Sequence, residues 1–187
     1  MNVISDTIDP ASKEVRFRSP FKEDGADILQ LVRDTGVLDV NSVYAYLLVG
    51  EHYSQTSVVA EVGDQLAGFI SAYCPPSKPD TVFVWQVGVA EAGRGRGLAT
   101  RMLYEILKRP ACSHVRYLDT TVGPTNEASM ALFRGFAAKL DTRCEEEELF
   151  ASELFGDHES VDGEPHEPEI LFRIGPFDTA AIRESAE

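Results

Sequence analysis

Residues 81–100 constrain the fold more than any other part of the chain. Thr81 to Val89 is uncharged and dominated by β-branched and aromatic residues, as in a strand buried on both faces. A turn follows with three alternating glycines, Gly93, Gly95 and Gly97, interleaved with Arg94 and Arg96. Leu98 to Lys108 then has helical spacing, and Pro110 stops it. Strand, glycine turn and helix start together make an anion-binding device. Glycine permits backbone angles closed to other residues and lets a ligand approach the amides. The first N–H groups of a helix have no internal partners and lie at the positive end of its dipole. Such a turn suits phosphate or diphosphate, and the two arginines add positive charge.

Two common phosphate motifs do not fit. A P-loop needs Lys and Ser or Thr after its last glycine, whereas Gly97 is followed by Leu98 and Ala99. A dinucleotide fingerprint starting at Gly95 meets Thr100 where its third glycine belongs, and hairpin strands precede the turn.

The rest of the chain supplies the frame. After a polar tail, residues 1–13, Val15 to Arg18 reads as a short strand and Glu23 to Val32 as a helix stopped by Gly36. Asn41 or Ser42 can cap a second helix that ends near Gly50. Thr56 to Val62 and Leu66 to Cys74 form a hairpin around Gly63 and Asp64. His114 to Thr121 is a further strand, and Asn126 to Arg134 a helix closed by Gly135. Two late strands are predicted near Lys139 to Glu145 and Ile170 to Ile174. Between Asp141 and Glu169 stand twelve acidic residues and one basic one, Arg143, so residues 146–165 read as an acidic exposed loop. It is a solvated connection or a flap beside a cationic substrate. One domain is expected over 14–177, with a C-terminal tail from 178 to 187.

Charge narrows the partners. Seventeen Lys and Arg against 31 Asp and Glu give a net charge of −14. Nucleic acid and anionic membranes need a basic face, so neither is expected. No apolar stretch reaches the ~20 residues of a membrane span, and the early aspartates do not read as a secretion signal. Cys74, Cys112 and Cys144 form no paired motif, which argues against a disulfide framework or structural zinc and for a reducing cytoplasm. An acidic surface attracts amines, although solubility or salt tolerance explains it as well.

Arg94, Gly97 and Ala99, directly after Val87, Gly88 and Val89, resemble the acetyl-CoA diphosphate motif of the GCN5-related N-acetyltransferases. Asn126, Ser129, Leu132, Phe133, Arg134, Gly135 and Phe136 resemble that family's second motif, and the likeness spans about residues 15–145. It implies an α/β (α+β) fold with a mixed, mostly antiparallel sheet of about seven strands and helices on both faces. The fourth and fifth strands would be parallel and splayed. It also implies acetyl-CoA as cofactor, its diphosphate held by Arg94, Gly95, Arg96, Gly97, Leu98, Ala99 and Thr100. Asn126 and Phe133 would line the pantetheine, while the backbone of Val87, Gly88 and Val89 would face the thioester. The family commonly has a tyrosine, acid for the departing thiolate, at the position of Phe133. A Cys-like thiol has a pKa of only ~8.5 and needs little help to leave.

Four further segments, at Asp39 to Tyr46, Val84 to Val89, Gly123 to Asn126 and Pro165 to Ile174, resemble a narrower branch of this family. That branch acetylates a small diamino acid, L-2,4-diaminobutyrate, on its γ-amine on the way to ectoine. The resemblance implies a diamino acid substrate and a homodimer. Read as residues, Asp39 serves a substrate ammonium or a helix cap, and Trp85 a cation–π wall or the core. Tyr44 presents its hydroxyl to substrate or packs on its helix. His166 and Glu169 are the candidate catalytic pair, with a surface role the alternative for His166. No second histidine stands at ligand spacing, so no metal is expected. A lysine-like amine with a pKa of ~10.4 must lose its proton before attack, at a cost of about 4.6 kcal/mol near pH 7. Glu169, His166 or a water they hold would remove it. Competing readings are another acceptor (a polyamine, an aminoglycoside or a protein lysine) and a non-catalytic acetyl-CoA-binding module, which Phe133 would suit.

Overall fold

The computed structural model describes residues 14–156 and 166–184. Residues 1–13 and 185–187 of the expected tails, and 157–165 of the expected acidic loop, lie outside the described residues. Seven strands form one mixed sheet in the order β1-β2-β3-β4-β5-β7-β6. They are β1 Val15–Arg18, β2 Val58–Val62, β3 Gln65–Tyr73, β4 Thr81–Val89, β5 Tyr117–Val122, β6 Cys144–Phe150 and β7 Glu169–Ile174. Only β4 and β5 run parallel. The helices are α1 Gly25–Thr35, α2 Val43–His52, α3 Leu98–Leu107, α4 Glu127–Lys139 and α5 Thr179–Glu184.

Two cores sandwich the sheet. On one face Met102, Leu103 and Ile106 of α3 and Phe136 of α4 pack with Leu118 and Phe172 of the sheet. On the other, Ile28, Leu31 and Val32 of α1 and Tyr46 of α2 pack on Val59 and Phe69. Gly88 lets α1 come close, because a Cβ there would stand 2.5 Å from the Phe69 ring and 2.8 Å from Leu31. At the first edge Arg18 bonds both Asp24 (2.7 and 2.8 Å) and Glu61 (2.7 Å). Burial pushes both carboxyls up, but Arg18, with the Phe21 amide on Asp24 and Arg16 on Glu61, holds them below the usual range.

Three expectations need correction. α4 does not stop at Gly135 but runs on to Lys139. Burying Phe136 contributes about 2–3 kcal/mol, more than the ~1 kcal/mol a mid-helix glycine costs. The strand expected near Lys139 to Glu145 begins only at Cys144, and Glu146 to Glu148, expected as loop, lie inside it as part of β6, the edge strand paired with β7. At an edge the side chains stay in water, so four successive glutamates are tolerated, and Arg134 binds Glu146 at 2.7 Å. The C-terminal stretch from 178 is not simply a tail: Thr179–Glu184 is helical, Ile182 is buried in the core, and Thr179 donates to the Ser113 carbonyl at 3.0 Å.

Candidate active site

β4 and β5 pair only from Thr81 with Tyr117 to Val84 with Thr120. Beyond that point β4 stays with β3 as far as Val89, and β5 stays with β7 as far as Val122. The strands therefore part, and an open cleft of about 1830 Å³ begins there. Trp85 marks the start of the split. Ser71 faces Gln86 and Ala72 faces Val84, so Trp85 is the extra residue of a bulge. It is 41% exposed in a strand that is otherwise largely buried.

The ladder decides which amides face the gap. Ala90 donates to the Ala67 carbonyl at 2.9 Å, so the bonded pairs of β3 and β4 are Ala67 with Ala90, Phe69 with Gly88 and Ser71 with Gln86. Val87 and Val89 alternate with them, and their N–H groups point to the side that β5 has left. Gly88 turns its own N–H to β3, so its contribution is the close packing of Phe69 and Leu31. Past the strand, Gly95 (φ +74°) and Gly97 (φ +65°) have left-handed backbone, with open space where a side chain would stand. Gly97 is the N-cap of α3, whose first turn closes through the Arg101 N–H to the Gly97 carbonyl at 3.0 Å. The amides of 98–100 are thus presented at an uncrowded helix start, and these residues fit a diphosphate.

Seven of the predicted site residues line the cleft together: Asp39, Trp85, Val87, Asn126, Phe133, His166 and Glu169. Asn126 caps α4 with its side-chain oxygen, which accepts from the Ser129 N–H at 3.0 Å. Phe133 is 2% exposed and has no proton to give. Tyr44 is not brought to the cleft; it is 65% exposed near the start of α2. Residues two apart on a helix point to nearly opposite sides, and Tyr46 takes the inward direction. Arg94 and Val89 border a separate hollow of about 590 Å³ beside Thr35.

The acceptor end is held by contacts the sequence reading did not single out. The Gln86 amide donates to the Asp39 carbonyl at 2.8 Å and accepts from the Tyr46 hydroxyl at 3.2 Å. A buried strand residue thereby fixes the loop carrying Asp39 over the cleft; the signal was one amide in an apolar run. Glu167 accepts from the Thr125 N–H (3.2 Å) and hydroxyl (2.9 Å), tying the approach to β7 to the start of α4. His166 stacks on Phe155 at 3.7 Å, and its Nδ1 lies 2.7 Å from the Glu167 carbonyl oxygen. A carbonyl only accepts, so Nδ1 carries the proton and Nε2, 4.0 Å from Asp39, is the basic nitrogen. Burial pushes the Glu169 carboxyl above its usual value, against the pull of the Thr121 hydrogen bond and of His166. Asp39 and Glu167 push it the same way as burial. Among the described residues no three His, Cys, Asp or Glu gather as metal ligands.

The model of the Acetyltransferase (GNAT) family matches residues 26–137. The L-2,4-diaminobutyric acid acetyltransferase of Marinococcus halophilus is 48% identical over 161 residues, which are 86% of this chain and 90% of the relative. The enzyme of the same name from Bordetella parapertussis is 47% identical, over 90% and 88% of the two chains. This chain belongs to the diaminobutyrate acetyltransferases of the GNAT family. Among solved structures, the diaminobutyrate acetyltransferase EctA of Paenibacillus lautus, in complex with its substrate L-2,4-diaminobutyric acid and coenzyme A, matches with a TM-score of 0.83. It is 42% identical, and the match covers 89% of this chain and 97% of that one. The fold expected from the family is thus present, down to the parted β4 and β5.

Proposed function

We propose that this diaminobutyrate acetyltransferase transfers the acetyl group of acetyl-CoA to the γ-amine of L-2,4-diaminobutyrate. The product is N4-acetyl-L-2,4-diaminobutyrate, and the step belongs to ectoine biosynthesis. The observation that carries this reading is the cleft at the β4–β5 split, with inward amides on one wall and carboxylates at the other end. When bound, acetyl-CoA supplies an activated thioester. The amides at 98–100 would hold its diphosphate, and Asn126 and Phe133 would line its pantetheine. The N–H groups of Val87 and Val89 are aimed to stabilise charge that develops on a carbonyl oxygen in the gap.

Asp39 and the Trp85 ring receive ammonium groups, and Glu169, with His166 beside it, takes the proton that the γ-amine must lose. A carboxyl raised by burial is a stronger base than an exposed one, which suits that step. Holding both reactants in one cleft allows direct attack in a ternary complex, without an acyl-enzyme. Phe133 cannot protonate the departing thiolate, so the proton comes from water or the thiolate leaves as such. We also infer a cytoplasmic homodimer; the exposed apolar side chains of Val37, Val40, Tyr44 and Leu47 support the pairing, and the free Cys74, Cys112 and Cys144 suit a reducing compartment. Sedimentation tests the dimer.

Incubation with acetyl-CoA and a panel of amines, read by thiol release and NMR of the product, tests the reaction. Diaminobutyrate should be preferred over ornithine and lysine and acylated on N4. Preference for a polyamine, an aminoglycoside or a lysine peptide, or coenzyme A binding without turnover, would overturn the reading.

A further inference from the structure

The lining of the cleft is lopsided in charge. Asp39, Asp119, Glu127, Glu167 and Glu169 contribute carboxylates, whereas Lys78 is the sole lysine or arginine there among the described residues. Carboxylates answer the two ammonium groups of a diamino acid. Its own carboxylate would be repelled by such a wall unless a cation met it.

Lys78 stands in the connection before β4 with its ammonium 3.1 Å from Asp119. Asp119 is 2% exposed and already bonded through both oxygens by Arg173, at 3.0 and 2.8 Å. Two cations therefore share one carboxylate, and the trio carries a surplus positive charge. Arg173 is directed at Asp119 and stacked over the Tyr117 ring at 4.1 Å. The Lys78 side chain is 46% exposed and borders the cleft, so the surplus is offered there.

Asp119 and Thr121 lie two residues apart on β5 and share a face, about 6.6 Å from one another. Asp119 faces Arg173 and Thr121 faces Leu171 across the β5–β7 ladder, and Glu169 follows two residues along β7 on the same face, which places the proposed base at one end of that interval and Lys78 at the other. The carboxyl carbon and γ-nitrogen of diaminobutyrate are separated by about 5 Å, four bonds of ~1.5 Å in a zigzag. One molecule can reach from one end to the other.

The geometry points to Lys78 as the specificity residue that binds the α-carboxylate of the acceptor. This rests on the proposed function and deepens it, because it explains how an amino acid is told from a plain diamine. The diagnostic competitor is 1,3-diaminopropane, which is diaminobutyrate without its carboxyl group. Wild-type enzyme should favour diaminobutyrate over 1,3-diaminopropane in kcat/KM. In Lys78→Met that ratio should fall about tenfold or more, the worth of one charge-assisted hydrogen bond, mainly through KM for diaminobutyrate. Lys78→Arg should restore most of the ratio, and coenzyme A binding by calorimetry reports that each variant is folded.

Equal losses on both acceptors in folded Lys78→Met, or no loss on either, would overturn the assignment while leaving the reaction itself standing. Failure of the wild type to acetylate diaminobutyrate would instead sink the reaction on which the assignment rests.

Discussion

At the scale of single residues, Glu169, the proposed base, links the proposed chemistry to stability. Its carboxyl is raised by burial, so the folded protein binds that proton more tightly than the unfolded chain does. The stability this provides is complete below the ordinary carboxyl pKa and is lost as pH rises through the raised one. At neutral pH the ionised group is therefore a liability that the fold tolerates. Glu169→Gln should raise the melting temperature at neutral and alkaline pH while lowering kcat about 10²-fold, the scale of a lost general base. The acid limb of the pH–rate profile should flatten with it. Thermal melts and initial rates across pH check both halves; a lower melting temperature with unchanged kcat contradicts the assignment. The neighbouring contacts of Glu167 and Gln86 act through position, since both fix backbone from which the site residues project.

At the scale of elements, the first edge of the sheet depends on one guanidinium. Arg18 joins β1, the turn before α1 and β2 through Asp24 and Glu61, all three side chains being at most 22% exposed. Removing it leaves the Asp24 carboxylate without its cation and Glu61 with Arg16 alone, so Arg18→Met should cost about 3 kcal/mol at neutral pH. The sign of its pH dependence is opposite to that of Glu169. Both partner carboxyls are held low, so their contribution is present above the ordinary range and lost as pH falls through the lowered values. Urea unfolding across pH should show wild type and variant converging in acid; a constant gap contradicts this. Elements with a strong local code were legible in the sequence: β1 and β4 fall where predicted, and the caps at Ser42 and Gly36 hold. The end of α4 and the run of β6 were not. Phe136 and the β7 ladder decide them from a distance, against a helix-breaking glycine and four glutamates. Of the candidate site residues, Trp85 and Val87 on β4 and Glu169 on β7 line the cleft, a position that their strand segments made legible. Tyr44 was not legible, because its direction depends on which face of α2 packs on Phe69.

At the scale of the whole molecule, the sheet is two half-sheets joined along only four residue pairs. On one face α3, seated on β2, β3 and β4, packs against α4, seated on β6 and β7, and so spans the two halves while the far ends of β4 and β5 diverge. In the proposed reading, this divergence would let an acidic protein, with net charge −14, hold an anionic cofactor on backbone N–H groups rather than on a basic surface. Residue-resolved amide hydrogen exchange by NMR, with and without coenzyme A, tests that claim most directly. In the free protein Gln86 and Gly88, bonded to β3, should exchange slowly while Val87 and Val89, facing the gap, exchange fast. Coenzyme A should slow Val87, Val89 and the amides of 97–100. Fast exchange there that persists in the presence of saturating coenzyme A, with new protection confined to other parts of the chain, would contradict the account.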